Sequence, residues 1–257
     1  MSRFGFAASA PFGADILERL APHHDIPFVL TQPDAPAGRG RGLRPAPAKL
    51  TALRLGLPVV ESLDAPLDAE TIVLVAYGRL IPAELLERHL WLNVHPSLLP
   101  RWRGAAPVER AIMAGDTETG VTVIKLVEEL DAGPIAAQRA FPVGADAGAV
   151  YDRAAETGAE LLEEVLPAPS FTSQSEQGVT YAEKIGSEDR LLDLSRPEEA
   201  LNRVRALSPH IGARAELYGR PVTVWEARVE GDELIPVEVQ PAGGTRMSYD
   251  AFLRGVR

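Results

Sequence analysis

Asn93 and His95 are the residues of this 257-residue chain whose types and spacing best suit chemistry. They stand at i and i+2 in the apolar run Trp91-Leu92-Asn93-Val94-His95, which reads as a strand, so both side chains leave the same face. A proline-bounded loop, Pro96-Ser97-Leu98-Leu99-Pro100, follows at once. In open α/β sheets, ligands bind beyond the carboxyl ends of the strands. At such a place an amide N–H can stabilise an oxyanion and an imidazole can move a proton. A carboxylate follows in Leu130-Asp131-Ala132-Gly133-Pro134, just past the strand-like Gly120–Val127, where it could orient His95 and set its protonation state. On residue types alone, the competing reading of His95 is a structural histidine at a strand end.

Other chemistries are excluded by what the sequence lacks. Without cysteine there is no disulfide, iron–sulfur cluster or thiol nucleophile. His23, His24, His89, His95 and His210 show no metal-ligand spacing, so no metal is expected. Gly38-Arg39-Gly40-Arg41-Gly42 is not the dinucleotide G-x-G-x-x-G, and neither a Walker A sequence nor a G-x-S-x-G elbow occurs. No apolar run nears the roughly 18–20 residues of a membrane helix. Gly and Pro interrupt the faintly apolar Met1–Ala14, so a secretory signal is not expected and a cytoplasmic location is.

The elements that must position these residues alternate along the first half. Arg3–Ala7 is a short apolar start, and Ile26–Leu30, Thr71–Tyr77, Trp91–His95 and Gly120–Val127 read as strands. Asp15–Leu20, Lys49–Leu55, Glu84–His89, Pro107–Ala114 and Ala147–Leu166 read as helices. Thr71–Tyr77 is apolar on both faces, as in a buried parallel strand. This alternation predicts a Rossmann-like α/β domain with a mostly parallel sheet over residues 1–166. Pro, Ser, Thr and Gln enrich 167–180, which reads as a linker. Residues 181–257 then show a helix at Pro197–Leu207, strands at Ala213–Leu217, Val222–Ala227 and Ile235–Val239, and a helix at Tyr249–Leu253. They read as a small C-terminal OB-like domain, a reduced barrel.

Charge is distributed unevenly. Ala35–Val60 holds Arg39, Arg41, Arg44, Lys49 and Arg54 and no acidic residue, so it carries +5 within a chain of net charge −10. Its prolines and glycines make it read as a long loop, and such loops are usually functional or disordered. An acidic body with one basic segment has one place where phosphates can land.

Asn93-x-His95-Pro96-Ser97-Leu98-Leu99-Pro100, then Arg101-Trp102-Arg103-Gly104-Ala105-Ala106-Pro107, Gly120-Val121-Thr122 and Leu130-Asp131-Ala132-Gly133-Pro134 together resemble the folate-dependent formyltransferase family, in the branch that acts on methionyl-tRNA. Matching segments extend outward through Thr31–Asp34 with Pro36–Gly40, Val75–Gly78, Thr180–Lys184, and Gln240–Gly244 with Met247-Ser248. The resemblance implies formyl transfer from 10-formyltetrahydrofolate to the α-amino group of methionyl initiator tRNA, without a metal. It implies that Asn93 and His95 stabilise the oxyanion. Asp131 would set the state of His95 and help remove the amine proton. Val75, Ala76, Tyr77 and Gly78, with Ser97, Leu98, Leu99 and Pro100, would line the folate site. Arg39, Arg41, Arg44 and Lys49 would contact tRNA, and the protein would act as a monomer.

Three departures from the family pattern stand out. Phe6-Ala7-Ala8-Ser9-Ala10-Pro11-Phe12 lacks the usual glycine turn. The stretch between Val60 and Thr71 is short, as if a helix were trimmed, and the C-terminal domain is short as well. Two other functions stay open at this point: a formyltransferase for another primary amine, such as an amino sugar nucleotide, and an inactive paralogue that binds tRNA or folate.

Overall fold

A computed structural model describes residues 1–37 and 42–256. The first elements are β1 (Gly5–Ala8), α1 (Pro11–Leu20) and β2 (Val29–Leu30). Next come β3 (Ala35–Ala37), β4 (Gly42–Arg44), α2 (Pro47–Arg54), β5 (Val59–Val60) and β6 (Thr71–Val75). The middle of the chain forms α3 (Ala83–Arg88), β7 (Leu90–His95), β8 (Arg103–Gly104), α4 (Pro107–Met113), β9 (Glu118–Lys125), β10 (Ile135–Pro142) and α5 (Ala147–Val165). The last part forms β11 (Tyr181–Ala182), α6 (Pro197–Leu207), β12 (Ala213–Leu217), β13 (Arg220–Glu230), β14 (Glu233–Pro241), β15 (Met247–Ser248) and α7 (Tyr249–Arg254).

Seven strands make one sheet in the order β10-β9-β7-β6-β1-β2-β5. β5, β2, β1, β6 and β7 run parallel, and β9 runs antiparallel to β7. The sheet is therefore mixed and mostly parallel, as the alternation predicts. The chain leaves β1 toward β2 and β5, then returns to the other side of β1 as β6 and β7. The ends of β1 and β6 thus form a topological switch point, where such sheets open a crevice. Phe6, Ile72, Val73, Leu92 and Val94 are buried, because central strands covered on both faces must be apolar on both.

Two compact units follow one another unevenly along the chain. One comprises Met1–Arg103, Gly120–Ala140 and Asp152–Val179; the other comprises Gly104–Thr119, Phe141–Tyr151 and Thr180–Arg257. The composition of 167–180 suggests a free linker, but residues 167–179 belong to the first unit. Thr172 exchanges two backbone hydrogen bonds with Ile135, at 2.7 and 2.9 Å. The stretch between β5 and β6 contains no helix and borders a cleft of about 440 Å³ beside α3, lined in part by Leu63, Leu67, Leu85 and His89.

In the second unit, β12-β13-β14-β15 form an antiparallel sheet with β12 and β15 at its edges, where a reduced barrel was the expectation. Val204 and Leu207 of α6 and Phe252 of α7 pack with Val222, Val224 and Val239 as its core. Tyr218 and Gly219, both at positive φ, make the tight turn between β12 and β13. The acidic segment after Trp225 is itself a hairpin, with Glu230 opposite Glu233. Outward-facing charges alternate there with half-buried residues, which hides a strand from a reading based on polarity. Arg110 of α4 grips both oxygens of Asp189 at 2.7 and 2.9 Å and holds that carboxyl below its ordinary value.

Candidate active site

β7 is the strand that carries Asn93 and His95. Trp91, Leu92 and Val94 are buried and hold it in the sheet, while Asn93 and His95 leave its end on one face and are themselves 7% and 5% exposed. Both approach Asp131. Asn93 Nδ2 donates to Asp131 Oδ1 at 3.2 Å, and His95 Nδ1 lies 3.6 Å from Asp131 Oδ2. The three residues anticipated from spacing and resemblance are thus brought together.

The ring of His95 is oriented by a group that residue types do not announce. Its Nε2–H donates to the carbonyl oxygen of Trp102 at 2.8 Å. A carbonyl only accepts, so Nε2 carries the proton, and in the neutral ring Nδ1 presents its lone pair toward Asp131. The 3.6 Å gap is too long for a direct hydrogen bond. A proton delivered there would lie between an imidazole nitrogen and a carboxylate. The ring is thus held by a hydrogen bond to the Trp102 carbonyl on one side and faces the Asp131 carboxylate on the other.

Two residues reach these positions through left-handed backbone. Trp102 has φ 65° and Asp131 φ 48°. For a residue as bulky as tryptophan this conformation is costly, on the order of 1–3 kcal/mol, and persists only where its surroundings over-determine it. It turns the Trp102 carbonyl onto His95. The Arg101 guanidinium lies over the Trp102 ring at 4.4 Å. Asp131 sits in a turn closed by Gly133 and by Lys125 N–H donating to Pro134 O at 2.9 Å. A Cβ on Gly133 would meet Lys125 O at 1.7 Å, so the turn tolerates only glycine there.

The residues anticipated for the folate site divide into two roles. Thr122 Oγ1 donates to Ser97 O at 2.6 Å and accepts from Leu99 N–H at 3.1 Å, fixing the loop after β7. Gln138 Nε2 adds bonds to Leu99 O and Thr122 Oγ1 at 2.9 and 2.8 Å. Ser97 is fully buried and its hydroxyl donates to Arg101 O at 2.7 Å, so it shapes the loop. Leu99 is buried, whereas Leu98 and Pro100 are half-buried. At the switch point, Val75 and Tyr77 are fully buried while Ala76 and Gly78 are exposed. Burial pushes the Tyr77 phenol above its ordinary value, and the nearby Arg79 opposes this. The altered loop before α1 is held by Ser9 N–H and Ala10 N–H donating to Ala76 O, both at 3.3 Å.

Of the residues anticipated for tRNA, Arg39 and Arg41 lie outside the described residues. Arg44 is exposed on β4, which pairs antiparallel with β3, so the expected long loop Ala35–Val60 contains this strand pair together with α2 and β5. Lys49 on α2 is held by Asp34 at 2.6 Å and Glu61 at 2.9 Å, and these bonds raise its ammonium above its ordinary value.

The formyl transferase family model matches residues 6–166, which contain all three convergent side chains. A methionyl-tRNA formyltransferase from Listeria welshimeri is 37% identical over 299 positions, covering 99% of this chain and 96% of that protein. The chain belongs to the formyl transferase family. The alignment with the Listeria protein is longer than the chain, so that relative carries residues with no counterpart in this formyl transferase. Two solved structures share the fold. A methionyl-tRNA formyltransferase from Clostridium thermocellum superposes with a TM-score of 0.68 at 15% identity, over 94% of this chain and 99% of that one. An N-formyltransferase from Helicobacter canadensis, solved with folinic acid and dTDP-3-aminofucose, gives 0.70 at 15% identity over 94% and 95%.

Proposed function

We propose that this chain is a methionyl-tRNA formyltransferase, moving a formyl group from 10-formyltetrahydrofolate to the α-amino group of methionyl initiator tRNA. The reading is carried by the convergence of Asn93, His95 and Asp131 at the end of β7, in a chain matched nearly end to end by a methionyl-tRNA formyltransferase.

The residues divide the work as follows. The amine nitrogen attacks the formyl carbon, and the carbonyl electron pair moves onto oxygen. Asn93 spends one N–H on Asp131 and offers its second to that oxygen, a donor worth on the order of 10²–10³ in rate. His95 Nδ1 and Asp131 Oδ2 receive the ammonium proton between them; such proton transfer is typically worth about 10²–10⁴. The bond from carbon to the folate nitrogen then breaks, that nitrogen takes a proton, and formyl-methionyl-tRNA and tetrahydrofolate leave. Val75–Gly78 and the loop Ser97–Pro100 flank the end of β7 and form the folate side of the site in this reading.

Incubation with 10-formyltetrahydrofolate and either methionyl-tRNA or a panel of small amines, including amino sugar nucleotides, tests this. Formylation of the tRNA alone is the expected result. Transfer to a small amine instead would replace the acceptor, and no transfer to any would leave a binding paralogue. Arg39, Arg41, Arg44 and Lys49 form the tRNA contact in this reading. Arg39→Ala is expected to raise the KM for methionyl-tRNA and lower the slope of its salt dependence by about one. An unchanged slope would remove that loop from the interface.

A further inference from the structure

Both groups that flank His95 are tied to one side chain beyond the matched family segment. Gln174 lies after residue 166, in the stretch whose composition reads as a linker. Its Nε2 donates to Asp131 O and to Gly133 O, each at 2.7 Å. Its Oε1 accepts from Arg103 Nε at 3.2 Å and Nη2 at 2.8 Å. All four hydrogen-bonding positions of the amide are filled, two as donor and two as acceptor. Carbonyls at one end and a guanidinium at the other allow only one orientation of the amide.

The two ends hold different sides of the catalytic histidine. Asp131 presents its carboxylate to Nδ1, and its backbone is what Gln174 Nε2 holds. Trp102, whose carbonyl orients Nε2, directly precedes Arg103, which Gln174 Oε1 holds. Arg103 is 5% exposed and its Nη1 also lies 3.6 Å from Glu129. The backbone pairing of Thr172 with Ile135 brings Gln174 to this place.

We propose that Gln174 is a positioning residue for catalysis. It clamps the Asp131 turn to the Trp102-Arg103 segment and thereby sets the gap between His95 Nδ1 and Asp131 Oδ2. The proposal rests on the reading of Asp131 as catalytic. It also makes residues 167–179 part of the catalytic apparatus rather than a tether.

Gln174→Glu tests it sharply. The change keeps size and the acceptors for Arg103, but sets a carboxylate oxygen against two carbonyl oxygens. Gln174→Ala removes all four bonds without repulsion and decides the matter if the Glu variant fails to fold. The expected result is a kcat lowered about ten- to hundredfold, since a shift near 1 Å can cost that much, with the KM for methionyl-tRNA within about twofold of the parent. Combined with Asp131→Asn, either change is expected to add far less than the product of the single losses, because the two act on one arrangement. Parental kcat in both Gln174 variants, or losses that simply multiply, would overturn the proposal. Parental kcat in Asp131→Asn alone would instead overturn the reading of Asp131, and the positioning role with it.

Discussion

His95→Ala lowers the rate of formyl transfer at least about a hundredfold and leaves the KM for methionyl-tRNA within about twofold of the parent. A hundredfold is about 2.7 kcal/mol of transition-state stabilisation. The expectation follows from position: His95 is 5% exposed, is oriented by the Trp102 carbonyl and faces Asp131 across 3.6 Å. In the proposed reading the tRNA body rests on the basic segment around Arg39–Lys49, so its binding does not need this ring. Asp131→Asn keeps the size of the side chain and an oxygen for Asn93, but removes the charge that shares the arriving proton. It is expected to fall by a similar factor in kcat with the same split. Single-turnover transfer with saturating methionyl-tRNA measures both. Turnover near the parent in either variant would remove that residue from the mechanism.

The second large effect is on Gly133→Ala, and it acts through backbone rather than chemistry. The added Cβ would stand 1.7 Å from Lys125 O and 2.9 Å from Lys125 C, so the turn and the end of β9 must separate. Both clashing atoms belong to backbone, which cannot swing aside as a side chain can. Overpacking of this kind costs typically about 1–3 kcal/mol, and a collision with backbone belongs at the upper end. The separation carries Asp131 away from His95, so kcat is expected to fall by about a hundredfold as well. Urea unfolding with an unchanged slope and a lowered midpoint reports the first effect, and single-turnover transfer the second. A variant with parental midpoint and rate would mean that the turn does not close on β9 as described.

The legible parts of this protein are those in which one residue's neighbours in sequence are also its neighbours in space. β6 and β7 read as buried strands because Thr71–Val75 and Leu90–His95 are almost continuously apolar. β10 is not legible as a strand, because it lies at the sheet edge, half-exposed along most of Ile135–Pro142, with no clear period. β13 and β14 run longer than their apolar cores suggest, because the hairpin between them continues into an exposed, acidic stretch. Residues 167–179 look like a tether because Pro, Ser, Thr and Gln do not pack a core. Gln174 is nonetheless held by four hydrogen bonds, which no composition reveals.

The sequence by itself determined that Asn93 and His95 leave the end of β7 together. The period of two on a strand places Asn93 and His95 on one face, whatever the rest of the chain does. It also determined the family, through a run of side chains too long to arise by chance. Only the tertiary structure decided how those groups are held. Asp131 joins Asn93 across 38 residues, Gln174 reaches Asp131 across 43, and the proton on His95 Nε2 is placed by a backbone carbonyl. Backbone atoms are the same in every residue, so their partners are chosen by where the folded chain brings them. For that reason, the identity of the candidate groups can be read from the sequence, and their geometry cannot.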